Sequence, residues 1–559
     1  MIRLSILWIV VTAVAIYTWR DWFKGLCGLI VLVGILEMPD VPRTMFGIGG
    51  LNFFNLLLVN VLAAWLIARH RENLKFELPA HVGVLLTIYL GLILIGFYRL
   101  YEHPAYIVET RMGLIQEYLI NTLKWTLPGV MLYDGCRTRE RTTLALLSVM
   151  SIYLFLAVMV IKVMPIRSVM MDGAELQRLA YRLLVQRIGY HRVTLSMMLA
   201  GASWAVLALR GLTKSLKLQT VAVIISFGIL YSQGLTGGRA GYVAWAGVGA
   251  ILCVLRWRKY LMVAPIMVVL VLLFLPGVRD RMLQGFNRDA FTSNVSVDDY
   301  DVTAGRSIIW PIVFSKIKQQ PWFGYGRQGM WTTGVVAYVS IVLAEEFGHP
   351  HNAYLEWLLD NGVLGFIPVM AFYMVVLFHS FRLFVDRRDG IFMATGGMAA
   401  ALVLGLMGAS IGSQSFYPIE GTVGMWCAMG IMFRMSVNRS HALAEIQRST
   451  AVVPRFQQRP VLAAQRPAAA AAVSLDALLW PKSEPIVPLG FGSMVRRPSA
   501  VATPPEPAVS EPAASTGARR PFDSVVTRAR ENSLPRSQPD SEPAEQFVFE
   551  AVIPVRKSS

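Results

Sequence analysis

The chain has 559 residues, of which 55% are hydrophobic and only 16% charged, and its mean hydropathy is +0.51. Its apolar residues gather in repeated runs near the ~20 residues that cross a bilayer. This excludes an ordinary soluble domain and predicts an all-α polytopic membrane protein, because a spanning chain must satisfy its backbone internally. The formal net charge of +17 does not indicate nucleic acid, since no groove-reading motif accompanies it.

In chain order, the first apolar run, Leu4 to Tyr17, ends at Arg20-Asp21 without a small-residue cleavage pattern. It is expected to be a span or part of one rather than a signal peptide. Further spans are predicted at 46–68, 79–98, 116–133, 144–164, 193–210, 218–235, 240–255, 260–276, 353–379, 391–412 and 421–434. The total is about 12, and residues 1–435 form one transmembrane domain. Basic clusters lie between the runs: Arg69, Arg71 and Lys75; Arg137, Arg139 and Arg141; Arg210, Lys214 and Lys217; Arg256, Arg258 and Lys259; Arg382, Arg387 and Arg388. The positive-inside rule puts these on cytoplasmic connections. The segments 99–115, 165–192, 236–239, 277–352 and 413–420 then face outward, and 277–352 is a large periplasmic loop. Cys27, Cys136, Cys253 and Cys427 have no metal-ligand spacing and read as small buried apolar side chains.

The outward segment 165–192 departs from the charge rule, with Arg167, Arg178, Arg182, Arg187 and Arg192. Leu176, Leu179, Leu183 and Leu184 recur among them at helical spacing, which predicts an amphipathic interfacial helix. Its arginines meet lipid headgroups or form a basic wall beside an anionic lipid-linked substrate.

Three outward constellations carry candidate chemistry. In Thr236-Gly237-Gly238-Arg239-Ala240-Gly241 an arginine sits at the rim of the hydrocarbon. There it must snorkel or meet an anion. In Gly305-Arg306-Ser307-Ile308-Ile309-Trp310, Arg306 stands near the start of an amphipathic helix carrying Ile308, Ile309, Ile312, Val313 and Ile317. Its planar fork suits two phosphate oxygens. In His349-Pro350-His351-Asn352, Asn352 is a suitable N-cap for a helix over 352–360. The helix dipole beside His351 favours a neutral ring able to accept a proton, and the same end favours bound phosphate.

A metal held by Glu345, Glu346, His349 and His351 is the lesser reading, because His-Pro-His is not a standard chelate. The acidic run Asp298-Asp299-Tyr300-Asp301 reads as a solvated loop, with weak calcium binding as the alternative. Residues 436–559, rich in Ala, Pro, Ser and Arg, are expected to be a disordered cytoplasmic tail.

Gly305-Arg306 with Trp310, then Pro321 and Gly324-Tyr325-Gly326, then His351-Asn352 with Leu355 and Gly362-Val363-Leu364-Gly365, resemble the shared domain of the O-antigen ligase and O-antigen polymerase family. Gly238-Arg239 resembles that family's arginine at the end of a span before the large loop. The resemblance implies a metal-independent, inverting glycosyltransferase of the bacterial inner membrane that needs no cofactor. It implies a donor glycan on undecaprenyl pyrophosphate, and an acceptor sugar hydroxyl on lipid A-core, on another lipid-linked glycan or on a protein. Arg239 and Arg306 would answer the charge of the leaving pyrophosphate, and His351 would be the base. Asn352 and His349 join them as substrate-binding candidates, and His349 can share the role of His351. The tail departs from the family pattern and points to recruitment of polysaccharide assembly proteins. A lipid-glycan flippase, the alternative from another class, would place polar groups near the midplane of several spans. The candidates here collect at one surface.

Overall fold

The computed structural model describes residues 2–36, 38–45, 50–72, 76–104, 107, 109–283, 306–343, 347–412, 415–451 and 479–480. Among the described residues the elements are helical throughout, and the protein is an all-α membrane protein. Seven helices are long and apolar enough to cross a bilayer: Phe53–Arg71, Ala80–Glu102, Arg139–Val163, Arg192–Leu212, Leu216–Leu235, Ala353–Val385 and Gly390–Ala409. The count falls below about 12 partly because Arg3–Thr18, Trp22–Leu36 and Arg239–Leu255 are shorter apolar helices. Two expected spans are also interrupted. The stretch 116–133 divides into a π-helical turn, Ile115–Ile120, and the short helices Asn121–Leu123 and Leu127–Gly135, the last with Pro128 in its first turn. The stretch 260–276 divides into Arg258–Leu261 and Ala264–Phe274, and Pro276 opens the next helix, Pro276–Leu283.

Small residues set the centre of the bundle. In Gly390–Ala409 78% of the spanning window is buried, and in Arg192–Leu212 72%, against 22% for Leu216–Leu235. The first two are therefore core helices and the third faces lipid. They can approach closely because Gly201 lies against the backbone of Ala401 and Leu402, where a Cβ would come within 2.9 Å of the Ala401 carbonyl oxygen. The basic clusters at Arg69 and Arg137 converge on Asp134, which is fully buried, accepts from Trp65 Nε1 at 3.0 Å and Arg137 Nη2 at 2.8 Å, and forms an ion pair with Arg69 Nη1 at 2.7 Å. This joins Phe53–Arg71 to Leu127–Gly135. All four cysteines are buried and unbridged.

The helix Ala353–Val385 is two helices joined at Gly362, whose φ of +62° and ψ of −172° are not helical. A nine-residue piece over 353–361 precedes the span proper. The broken turn would strand backbone groups, and the segment 321–326 satisfies them. Val363 N donates to Pro321 O (2.8 Å), Leu364 N to Trp322 O (3.2 Å), Tyr325 N to Leu359 O (2.8 Å) and Gly326 N to Asp360 O (2.8 Å). Arg99, in the last turn of Ala80–Glu102, fastens the same segment through Phe323 O (2.8 Å) and Gly324 O (2.7 Å).

Beside this break lies a second, smaller core of Ile309, Val313, Met330, Val335, Val336, Val339, Leu355 and Leu359. It packs the helices Arg306–Gln319 and Val335–Leu343 onto the nine-residue piece. The predicted interfacial helix is Gly173–Ile188, capped by Asp172 and ended by left-handed Gly189, with Leu176, Ala180, Leu184 and Ile188 buried. The last helix, Val423–Ala451, runs through the boundary expected at 435/436. Further along, Leu479 is 1% exposed and belongs to the main core, with Trp480 packed beside it. The remainder of the expected tail, including the separate unit Gly490–Ser559, lies outside the described residues.

Candidate active site

The turn between Leu216–Leu235 and Arg239–Leu255 is built on Gly237, at φ +65°. A side chain at Gly238 would collide with Ser196, whose hydroxyl donates to Gly238 O at 3.0 Å. The turn therefore presses directly on the core helix Arg192–Ala208. Two arginines donate to the Gly237 carbonyl, Arg192 Nη1 at 3.0 Å and Arg281 Nε at 3.2 Å. Arg239 is the first residue of the following helix. Three guanidinium-bearing residues thus meet at one turn.

Arg306 begins its helix, as predicted. Its Nη2 donates to the carbonyl of Gly412, just beyond the end of Gly390–Ala409. Gly412 rests on Ala240, with 3.1 Å between a Cβ built at Gly412 and that of Ala240. Arg306 is thereby brought beside the first turn that Arg239 opens. The histidine loop joins the same place. Ala353 N donates to Ser410 O at 2.9 Å, and Trp310 Nε1, from the Arg306 helix, donates to Pro350 O at 3.0 Å. The short stretch 410–412 receives both Arg306 and the helix start behind His351.

His351 sits at φ +50°, in the left-handed region that non-glycine residues seldom enter. Its ring and that of His349 are 4.2 Å apart between centroids. The His351 backbone N–H donates to His349 Nδ1 at 3.2 Å, so a neutral His349 carries its proton on Nε2. Burial first, then the charges of His349, Arg306 and His191, hold His351 down to about 3. His349 is lowered by desolvation and by Arg306. His191, which caps Arg192–Ala208 through Val193 N, is pushed down to about 4 by desolvation, Arg192 and His349. The imidazoles are therefore neutral at ordinary pH and gathered in a positive field.

The structure thus brings His349, His351 and Arg306 together, and sets Arg239 next to them through the Gly412–Ala240 contact. Asn352 takes the expected capping role: its Oδ1 accepts from Tyr354 N (3.0 Å) and Leu355 N (3.2 Å). Only its amide NH2 is available for the substrate contact expected of it. Among the described residues no three His, Cys, Asp or Glu side chains lie close enough to hold a metal. Glu345, Glu346 and the run 298–301 lie outside the described residues.

Sequence reasoning passed over His191, Arg281, Arg327, Glu356 and Asp360. Glu356 and Asp360 share one helical face at i,i+4 and, with Gln328 and His349, line a small cavity behind the histidine loop. Their spacing was available as a signal. The position of Arg281 was not, because it depends on the fold of the Gly237 turn.

Comparison with known proteins bears on this same stretch. Residues 221–370 match the family model described as O-antigen ligase. The match spans the Gly237 turn, Arg306 and the histidine loop. No curated protein matches the chain.

Proposed function

We propose, for a chain whose residues 221–370 place it in the O-antigen ligase family, that it transfers a glycan from undecaprenyl pyrophosphate to an acceptor sugar hydroxyl on the periplasmic face of the bacterial inner membrane. The coarser statement stands on the family match and the helices: this is a multi-pass membrane glycosyltransferase of the O-antigen ligase and polymerase type. The observation that carries the finer one is the convergence of Arg306 and the His351 loop on residues 410–412.

In this scheme the acceptor oxygen attacks the anomeric carbon from the side opposite the pyrophosphate. The bond from that carbon to the phosphate oxygen breaks, its electron pair leaves with the lipid pyrophosphate, and the configuration inverts. Arg239 and Arg306 answer the charge that develops on the leaving group. The acceptor proton passes to His351. In the resting site burial first, and then the positive field, make His351 a weak base. A bound pyrophosphate offsets that field, so the ring gains proton affinity when the donor is seated. The scheme uses no metal or cofactor.

The test is transfer by the purified full chain in liposomes carrying an undecaprenyl-pyrophosphate glycan. His351→Ala is expected to lose roughly 100-fold or more, as for a general base. Arg306→Ala should lose a comparable amount, as for one stabilising donor. Full activity in both variants would sink the mechanism. The acceptor is read in a deletion strain: single repeats left on the carrier indicate a polymerase, and long chains a ligase.

A further inference from the structure

Arg327 is a buried arginine that the transfer scheme does not employ. It is 7% exposed. Its guanidinium lies over the ring of Tyr417, 3.8 Å from the centroid, with Tyr118 at 5.4 Å. Its Nε and Nη1 are buried and meet no acceptor among the described residues. Buried donors of a charged group are costly to leave unmatched.

The residue is nonetheless held firmly. Its backbone N–H donates to Gly96 O at 3.1 Å, and its neighbour Gly326 donates to Asp360 O at 2.8 Å. The obvious counterion is already engaged. Asp360 accepts from Gly329 N (2.8 Å), Gln328 N (3.3 Å) and Tyr417 Oη (2.9 Å). An aromatic stack fixes the plane of the guanidinium while its edge donors remain for a ligand.

We propose that Arg327, with Tyr118 and Tyr417 beside it, is a subsite for a neutral sugar residue of the glycan. The donors call for acceptor oxygens, which sugar hydroxyls and ring oxygens supply. The surrounding charge selects a neutral ligand over an anionic one. Asp360 lies close enough to interact with Arg327. A carboxylate or phosphate brought here would meet the carboxylate of Asp360. Location fits an extended glycan. Arg327 is tied to the far end of the nine-residue piece over 353–361, which at helical rise lies on the order of 13 Å from the His351 end. The subsite rests on the glycan-transfer reading, but it is tested without turnover.

The experiment is saturation-transfer NMR on the full chain in a detergent without a sugar headgroup, with cellobiose and glucuronate as probes. Cellobiose should receive saturation from the wild type and from His351→Ala alike. Its signal should fall roughly tenfold in Arg327→Gln, as for one hydrogen bond to a charged group, and recover in part in Arg327→Lys. Glucuronate should give the weaker signal throughout. Tyr118→Leu, which leaves Arg327 in place, should also lose signal and serves if Arg327→Gln does not fold. The subsite is overturned by no transfer to cellobiose, by equal transfer in Arg327→Gln and Tyr118→Leu, or by a preference for glucuronate. Loss of glycan transfer in His351→Ala with cellobiose binding retained keeps the two proposals separable.

Discussion

His351 shows how one side chain inherits its chemistry from its surroundings. Its ordinary value of 6.5 falls to about 3 in the fold, through burial and the charges of His349, Arg306 and His191. The folded state therefore binds fewer protons than the unfolded chain between these values. The stability tied to a neutral His351 is present above pH 6.5 and is lost as the pH falls toward 3. The wild type should lose more melting temperature between about pH 7.5 and pH 5 than His351→Gln, which cannot titrate. An equal loss in the two proteins would remove the assignment. The sequence made Arg306, His349 and His351 readable because each sits beside an element boundary marked by composition. The depth of the perturbation was not readable, since it comes first from burial in the folded site, then from His349, and then from Arg306 and His191, which are remote in sequence from His351.

Among the elements, the break at Gly362 has the widest reach. A Cβ there would overlap the Trp322 carbonyl, and the residue would stay at φ +62°. Gly362→Ala should cost at least ~1–3 kcal/mol, seen as a lower melting temperature and as faster proteolysis within 320–330. A melting curve matching the wild type would show that segment 321–326 does not brace the break. The Asn352 cap and the amphipathic helix after Arg306 were legible because capping and periodicity are local. The break itself was missed, although Asp360-Asn361-Gly362 interrupts the apolar run with a turn-forming Asn-Gly pair. The failed spans at 116–133 and 260–276 carry the converse lesson: hydropathy records composition, whereas the prolines at 128 and 265, each in a first helical turn, and the π turn decide continuity.

At the scale of the whole molecule, the all-α architecture with its apolar spans was legible in outline, because bilayer thickness imposes a length on apolar runs. The packing order was not, and it follows from where glycine and alanine allow backbones to touch, as at Gly201. The far C-terminal region also holds more than composition showed, because Leu479 is buried in the main core. A chain ending at residue 489 should melt like the full chain. A chain ending at 451 should be less stable by roughly 1.5–3 kcal/mol, the cost of exposing one buried leucine site. Both should retain glycan transfer. Loss of transfer in the chain ending at 489 would favour a scaffold acting through its tail.

The nine-residue piece over 353–361 is held at both ends, by Asn352 at one and by the backbone of 321–326 at the other. Such a segment imposes a phase as well as a length. One inserted residue would turn everything beyond it by about 100° about the helix axis. It would carry Asp360 away from Gln328 and Gly329 while His351 stayed in place. The segment therefore tolerates a change of length only by whole turns, which keep Asp360 facing Gln328 and Gly329.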